Sequence, residues 1–304
     1  MPTYPFQRQR YWLTPAPATP AVAGLRPLID RQMRLPAQQQ VVFEKAFSTT
    51  TLPFLADHAV YDEVVVPGAC HLAFALSAAE LLGQSPCVLQ DVVFPQALTL
   101  PADSTLTVQC VTTAPAADDA IPATTFRILS FAESDPTSTA PLTHASGHLL
   151  STPPVAPAID LAALQARCDT PLAADGFYAA LAEAHVALGP QFRWLHTIGR
   201  HEGQGEAIAR LQQPAAVSTQ GYALFPALID AMFQLAAAAM LDQTRTTGQL
   251  ATLLPFALET FTFYAAPPAQ VSLWCHVVQG ADQRWAITLF TETGQVLATV
   301  EGFA

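Results

Sequence analysis

The chain has 304 residues, 51% of them hydrophobic, and a formal net charge of -11 with only 13 Lys and Arg. That length supports one large domain or two units of roughly 100–150 residues each, and so few cations leave no basic face to neutralise a phosphate backbone, which excludes nucleic acid as a partner. Charges at Glu80 and Asp242 interrupt the longest apolar runs short of the roughly 20 residues a membrane span requires. Residues 1–13 carry Arg8 and Arg10 among aromatics rather than the apolar core of a secretory signal, so a cytoplasmic chain without membrane contact is expected.

In chain order, residues 15–27 are rich in Ala and Pro and read as a connector. Strands are expected at 41–47, 64–66, 88–100, 106–112, 125–131 and 142–151, where β-branched or alternating residues are bounded by Pro, Asp and Ser. Between them, 68–82 is Ala- and Leu-rich over about four turns, the signature of a buried helix. A second Pro-rich stretch at 152–157 and a short helix at 160–166 read as a linker. Beyond it come a helix at 175–183, strands within 192–211, a second long apolar helix at 226–241 entered through Pro226, and strands at 259–264, 270–278, 285–291 and 296–303. This order divides the chain into a connector at 1–28, a unit at 29–151, a linker at 152–170 and a unit at 171–304. A long apolar helix with antiparallel strands occurs twice, an α+β architecture repeated without a residue-level repeat.

Two places carry chemistry. His58 precedes a run of valines, and Pro67-Gly68 then opens the first long helix, so an imidazole stands beside backbone N–H groups that can polarise a carbonyl. In the second long helix Asp230 sits among Leu228, Ile229, Met232 and Phe233, where desolvation raises a carboxyl pKa, and Gln234 lies one turn on to orient it. Against these stand plainer readings, a histidine satisfied in a loop or core and an aspartate on a solvated helix face. The five cysteines (Cys70, Cys87, Cys110, Cys168, Cys275) form no C-x-x-C pair and read as buried free thiols. His58 with Asp62, and His144 with His148, have i, i+4 spacing but no third ligand, so no metal is expected. His71 lies inside a helix and reads as packed or rim-exposed rather than catalytic. Gly203-Gln204-Gly205 is too short for a dinucleotide fingerprint, and neither a G-x-S-x-G elbow nor a P-loop occurs.

These residues resemble the dehydratase domains of modular polyketide synthases. His58 and Pro67 fit that family's H-x-x-x-G-x-x-x-x-P motif, and Asp230 with Gln234 fits its D-x-x-x-Q/H motif. Leu89-Gln90-Asp91-Val92-Val93-Phe94, His144-Ala145-Ser146-Gly147, Gly189-Pro190-Gln191-Phe192 and Leu254-Pro255-Phe256 follow in family order. Tyr4-Pro5-Phe6-Gln7-Arg8-Gln9-Arg10-Tyr11-Trp12 is similar to the segment that leaves a preceding acyltransferase region.

The resemblance implies a double hot-dog fold with one catalytic residue from each half. It implies a 3-hydroxyacyl thioester substrate on the phosphopantetheine arm of an acyl carrier protein, neighbouring synthase domains as partners, a homodimer and no further cofactor. In that scheme His58 removes the α-proton, Asp230 protonates the departing β-hydroxyl, and the Gly68 N–H stabilises the enolate-like oxygen. Pro67, Gln234, Gly189 and Pro190 complete the implied substrate-binding set, together with Tyr61 and three departures from the family pattern. Asp62 stands where the motif has glycine and is a candidate second carboxylate, Leu188 replaces the tyrosine of Y-G-P-x-F, and Phe225 replaces a histidine before the second motif. Altered motifs keep a double-bond isomerase, a pyran-forming cyclase and a catalytically silent assembly unit as alternatives to dehydration.

Overall fold

The computed structural model describes residues 25–115, 123–131, 141–247, 255–269 and 271–304. The segment 4–12, most of the 1–28 connector and Leu254 lie outside them. In chain order the strands of the first half are β1 (Arg31–Leu35), β2 (Gln40–Phe47), β3 (His58–Val60), β4 (Glu63–Val66), β5 (Cys87–Val93), β6 (Leu98–Thr99), β7 (Leu106–Thr113), β8 (Thr124–Phe131) and β9 (Leu142–Leu150), with helix α1 at Gly68–Leu81. The second half holds α2 (Leu161–Arg167), β10 (Thr170–Leu172), α3 (Ala174–Glu183), β11 (Val186–Leu188), β12 (Leu195–His201), β13 (Glu206–Leu211), α4 (Pro226–Thr247), β14 (Ala257–Phe263), β15 (Leu273–Gln279), β16 (Trp285–Thr291) and β17 (Val296–Phe303).

Helix α1 is buried from Ala69 to Ala79, and its hydrophobic residues leave no polar stripe. Such a helix survives in water only when wrapped, and 13 of the described strands supply the wrapping as one continuous antiparallel sheet, β1-β2-β7-β8-β9-β5-β14-β17-β16-β15-β13-β12-β10, beside a 4-stranded sheet β11-β3-β4-β6. The first six strands curve around α1, the rest around α4, and the two helices pack against each other. This is the double hot-dog fold. The halves join at a seam where β5 pairs antiparallel with β14, Leu89 facing Phe261 and Cys87 facing Phe263. Helix α1 ends in a Schellman turn at Gly83 (φ 71°), whose left-handed backbone lets Gln84 N–H reach Ala79 O at 2.9 Å.

The structure departs from the sequence expectations where strands are short or bent. The run 88–100 is broken after Val93 by Pro95, giving β5 and β6 with a loop between. His58 starts β3, a strand outside the expected 64–66 run, whose hairpin with β4 pairs on its other side with β11 of the second half. Gly203 and Gly205, both with positive φ, form the β12–β13 turn. Among the described residues no helix is long and apolar enough to cross a membrane. All five cysteines are buried and free. Burial pushes their thiols up, Cys168 to about 11 and Cys87 to about 12, so none is a ready thiolate.

Candidate active site

A cavity of about 600 Å³ lies between the two halves, and His58, Gly68, Leu188, Asp230 and Gln234 all line it. His58 is buried on β3, opposite Leu188 of β11. Its Nδ1 lies 2.7 Å from the Val65 carbonyl on β4. A carbonyl can only accept, so Nδ1 carries the proton and Nε2 is left as the basic nitrogen. The ring packs against Phe192 with centroids 5.1 Å apart.

Asp230 projects from α4, buried, beside Gln234 one turn on. Gln234 Nε2 donates to Asp230 Oδ2 at 2.7 Å and to the Phe192 carbonyl at 3.1 Å, while the Tyr178 hydroxyl donates to Gln234 Oε1 at 3.3 Å and itself accepts from Leu195 N–H at 3.1 Å. Burial pushes the Asp230 carboxyl above the ordinary carboxylate range, against the opposing pull of the His58 charge and the Gln234 amide. Gly68 is the first residue of α1 after Pro67, and a Cβ there would stand 3.2 Å from the Phe94 ring. Glycine leaves the Phe94 ring undisplaced at the helix start; a side chain there would crowd it.

Phe192 holds both reacting groups, the imidazole against its ring and the Asp230–Gln234 pair through its carbonyl. It belongs to a single helical turn, Pro190–Phe192, anchored by the residue just before the histidine. Asp57 Oδ2 accepts from Gln191 N–H at 2.9 Å and its carbonyl accepts from Gly189 N–H at 2.7 Å. A Cβ at Gly189 would fall 2.4 Å from the Asp57 carboxyl. Gly189 and Pro190 therefore shape this anchor and do not line the cavity. Asp57, Tyr178 and Phe192 were missed as site residues from sequence; an acid preceding a candidate base is the one signal that could have singled out Asp57.

Three further candidates are also placed elsewhere. Tyr61 (φ 50°) and Asp62 (φ 64°) form the two-residue turn of the β3–β4 hairpin and both are exposed, Tyr61 stacked on His185 at 4.8 Å. The motif glycine thus answers a left-handed turn, which aspartate tolerates, and Asp62 is not a second carboxylate of the cavity. Phe225 is buried in an aromatic cluster against Phe54 (5.2 Å), Tyr222 (5.1 Å) and Trp194 (6.1 Å), behind the cavity wall. Leu188 is the one departure that reaches the cavity.

Two histidines read as bland from sequence line it as well. His144 and His148 do not face one another: a bulge in the β8–β9 pairing leaves His144 buried and His148 exposed. His144 Nδ1 lies 3.0 Å from Gln96 O and Nε2 2.8 Å from Ser130 Oγ. His71 of α1 stacks on it with centroids 5.9 Å apart. Among the described residues no group of three or more His, Cys, Asp or Glu could hold a metal ion.

Comparison with known proteins places this geometry among related chains. Residues 26–130 match the family model described as polyketide synthase dehydratase domain, and 156–304 match that described as polyketide synthase dehydratase N-terminal domain. The spectinabilin polyketide synthase system protein NorA′ of Streptomyces orinoci is 31% identical over 326 aligned residues, covering 100% of this chain and 8% of that protein. The chain thus spans a small fraction of that relative. Among solved structures, the CurJ dehydratase, crystallised as an inactive histidine-to-phenylalanine mutant in complex with a compound, is 34% identical with a TM-score of 0.83, covering 92% of this chain and 96% of that one. The dehydratase domain from the terminal module of the rifamycin polyketide synthase is 27% identical with a TM-score of 0.78, covering 93% and 97% respectively.

Proposed function

The chain belongs to the polyketide synthase dehydratase family, and from that premise we propose that it removes water from a 3-hydroxyacyl thioester carried on the phosphopantetheine arm of an acyl carrier protein. The observation that carries the reading is one cavity lined by an imidazole of fixed tautomer and a buried carboxyl held toward its protonated form. His58 Nε2 takes the α-proton. The C–H electron pair becomes the new 2,3-double bond as the β-C–O bond breaks, and Asp230 gives its proton to the departing hydroxyl, which leaves as water. Transfer of the proton from the imidazolium back to the carboxylate resets the pair.

The Gly68 N–H at the start of α1 is aligned with the positive end of the helix to receive charge developing on the thioester oxygen. Removal of one such donor typically costs about 2.7–4 kcal/mol in comparable oxyanion sites. Pro67 fixes the approach to that helix start. Inactivity of a histidine variant of the similar CurJ dehydratase supports a histidine in the role assigned to His58. The elimination uses only these side chains and the carrier arm, with no further cofactor. Its partners would be a carrier protein, neighbouring synthase domains and a second copy of the chain in a homodimer, in the cytoplasm.

Of the three departures from the family motifs, Asp62 and Phe225 lie off the cavity and carry no argument for an altered reaction; Leu188 alone bears on it. The test is His58→Ala with a 3-hydroxyacyl carrier-protein substrate and mass spectrometry of the product. The wild type should yield a product lighter by one water, and the variant none while remaining folded. Undiminished water loss by the variant refutes the assignment, and a wild type that leaves the 3-hydroxyacyl substrate intact but converts a 2,3-enoyl one to a product of equal mass and different NMR spectrum points instead to isomerisation or ring closure.

A further inference from the structure

His71 is 3% exposed, lines the same cavity, and has an Nδ1 with no hydrogen-bond partner. A buried polar atom left unpaired is costly and uncommon, and on a cavity wall it is a hydrogen-bonding position that a water or a ligand group can fill. Its surroundings are otherwise complete. His144, the ring it stacks on, has both nitrogens engaged: Nδ1 donates to the Gln96 carbonyl and Nε2 accepts from the Ser130 hydroxyl. Burial holds His144 toward its neutral form, the two hydrogen bonds fix its plane, and the rings of His71 and His144 lie within 19° of parallel. Burial, helped by the neighbouring His144, pushes His71 down to about 3, so it offers one N–H and one lone pair rather than a charge.

The register of α1 sets the position. His71 is three residues after Gly68, on the same helix face and about 4.5 Å along the axis. Counted from a thioester oxygen held at the Gly68 N–H, the first amide nitrogen of the pantetheine arm is five covalent bonds away and a keto oxygen on the δ-carbon six, and a bent chain brings either to about that distance.

We propose that His71 is a specificity-determining residue that hydrogen-bonds a neutral polar group of the ligand about one helical turn from the thioester carbonyl. The assignment rests on the dehydratase reading for the placement of the thioester. It makes the unpaired nitrogen part of substrate selection, a role separate from the proton transfers of His58 and Asp230.

The experiment compares the wild type with His71→Phe, which keeps a planar ring on His144. The ligands are 3-hydroxyacyl pantetheine thioesters matched in length, with or without a keto oxygen beyond the β-carbon, and the same acyl chains on a simple alkyl thiol lacking the amide. Calorimetric Kd and kcat/KM are both read. Selection of a chain oxygen predicts that the variant loses about tenfold on the oxygenated chains only; selection of the arm predicts that loss on pantetheine thioesters only. Without ligand, His71→Phe should melt about 2–4 °C higher, because an unpaired buried nitrogen is gone. Equal effects on all four ligands, or a lower melting temperature, overturn the proposal. Failure of the wild type to dehydrate any of them while Kd still discriminates overturns the dehydratase reading instead.

Discussion

Replacing Gln234 by leucine tests the acid half of the site. The amide is the donor to Asp230 Oδ2 (2.7 Å) and to Phe192 O (3.1 Å) and the acceptor from Tyr178 (3.3 Å). Leucine fills much of the volume but strands two buried acceptors and the Tyr178 hydroxyl donor, at about 1–3 kcal/mol each. Better burial of the apolar side chain returns roughly 1.5–3 kcal/mol, so the net loss should be about 4 kcal/mol, measured as a shift in denaturant midpoint at constant m. The catalytic signature is separate. Burial raises the Asp230 pKa, whereas the Gln234 hydrogen bond lowers it; without the amide the carboxyl keeps its proton to higher pH. The basic limb of the kcat profile should therefore move upward while its plateau falls about 10–100-fold, because the acid is no longer held in line. A limb that stays in place or moves downward refutes the role of Gln234.

Asp230→Asn should lose dehydration and gain stability. The wild-type carboxyl has a raised folded pKa, so the stability it contributes is present at low pH and is lost as the pH rises through that value; the advantage of the asparagine variant in denaturant midpoint should grow with pH. The opposite sign governs Glu206, which binds Arg167 (2.6 Å), His276 (2.8 Å) and His201 (3.1 Å) and ties α2 to the sheet. Burial alone would raise its pKa, but these three donors outweigh burial and bring it from the ordinary 4.5 to about 2. Glu206→Gln should cost about 1–2 kcal/mol at neutral pH, with the difference from wild type shrinking as the pH falls from 4.5 toward 2; a pH-independent difference would count against this account.

Local chemistry was legible in the sequence and long-range pairing was not. The two long helices stood out because an uninterrupted apolar composition has few other uses, and Asp230 with Gln234 was readable because i, i+4 spacing is a property of the helix itself. His58, Pro67 and Gly68 were found for the same reason. What could not be read depends on residues far apart in the chain. The three-residue strands β3 and β11 carry no periodic signal, so the contact between His58 and Leu188 became visible only when the halves met. Asp57 reaches Gln191 across more than a hundred residues. The bulge that buries His144 and exposes His148 breaks the alternation on which a strand reading relies. Asp62 shows the converse error: its position in a motif was noticed, but the motif there encodes a turn rather than a catalytic contact.

The paired edges of β5 with β14 and of β3 with β11 set a rule for recombination. A crossover placed in the extended segment before α2 looks harmless on a linear map, since residues 152–160 carry no regular structure. It would nevertheless divide both edge pairs between two parent sequences, and an edge that fails to pair again would be open to association with other chains. A donor half with a different edge sequence would meet its host with mismatched side chains at Leu89, Phe261 and Leu188. Grafts between synthases should therefore carry both halves as one inherited block, and variation in substrate range should be sought by changing side chains within the cavity rather than by exchanging halves around it.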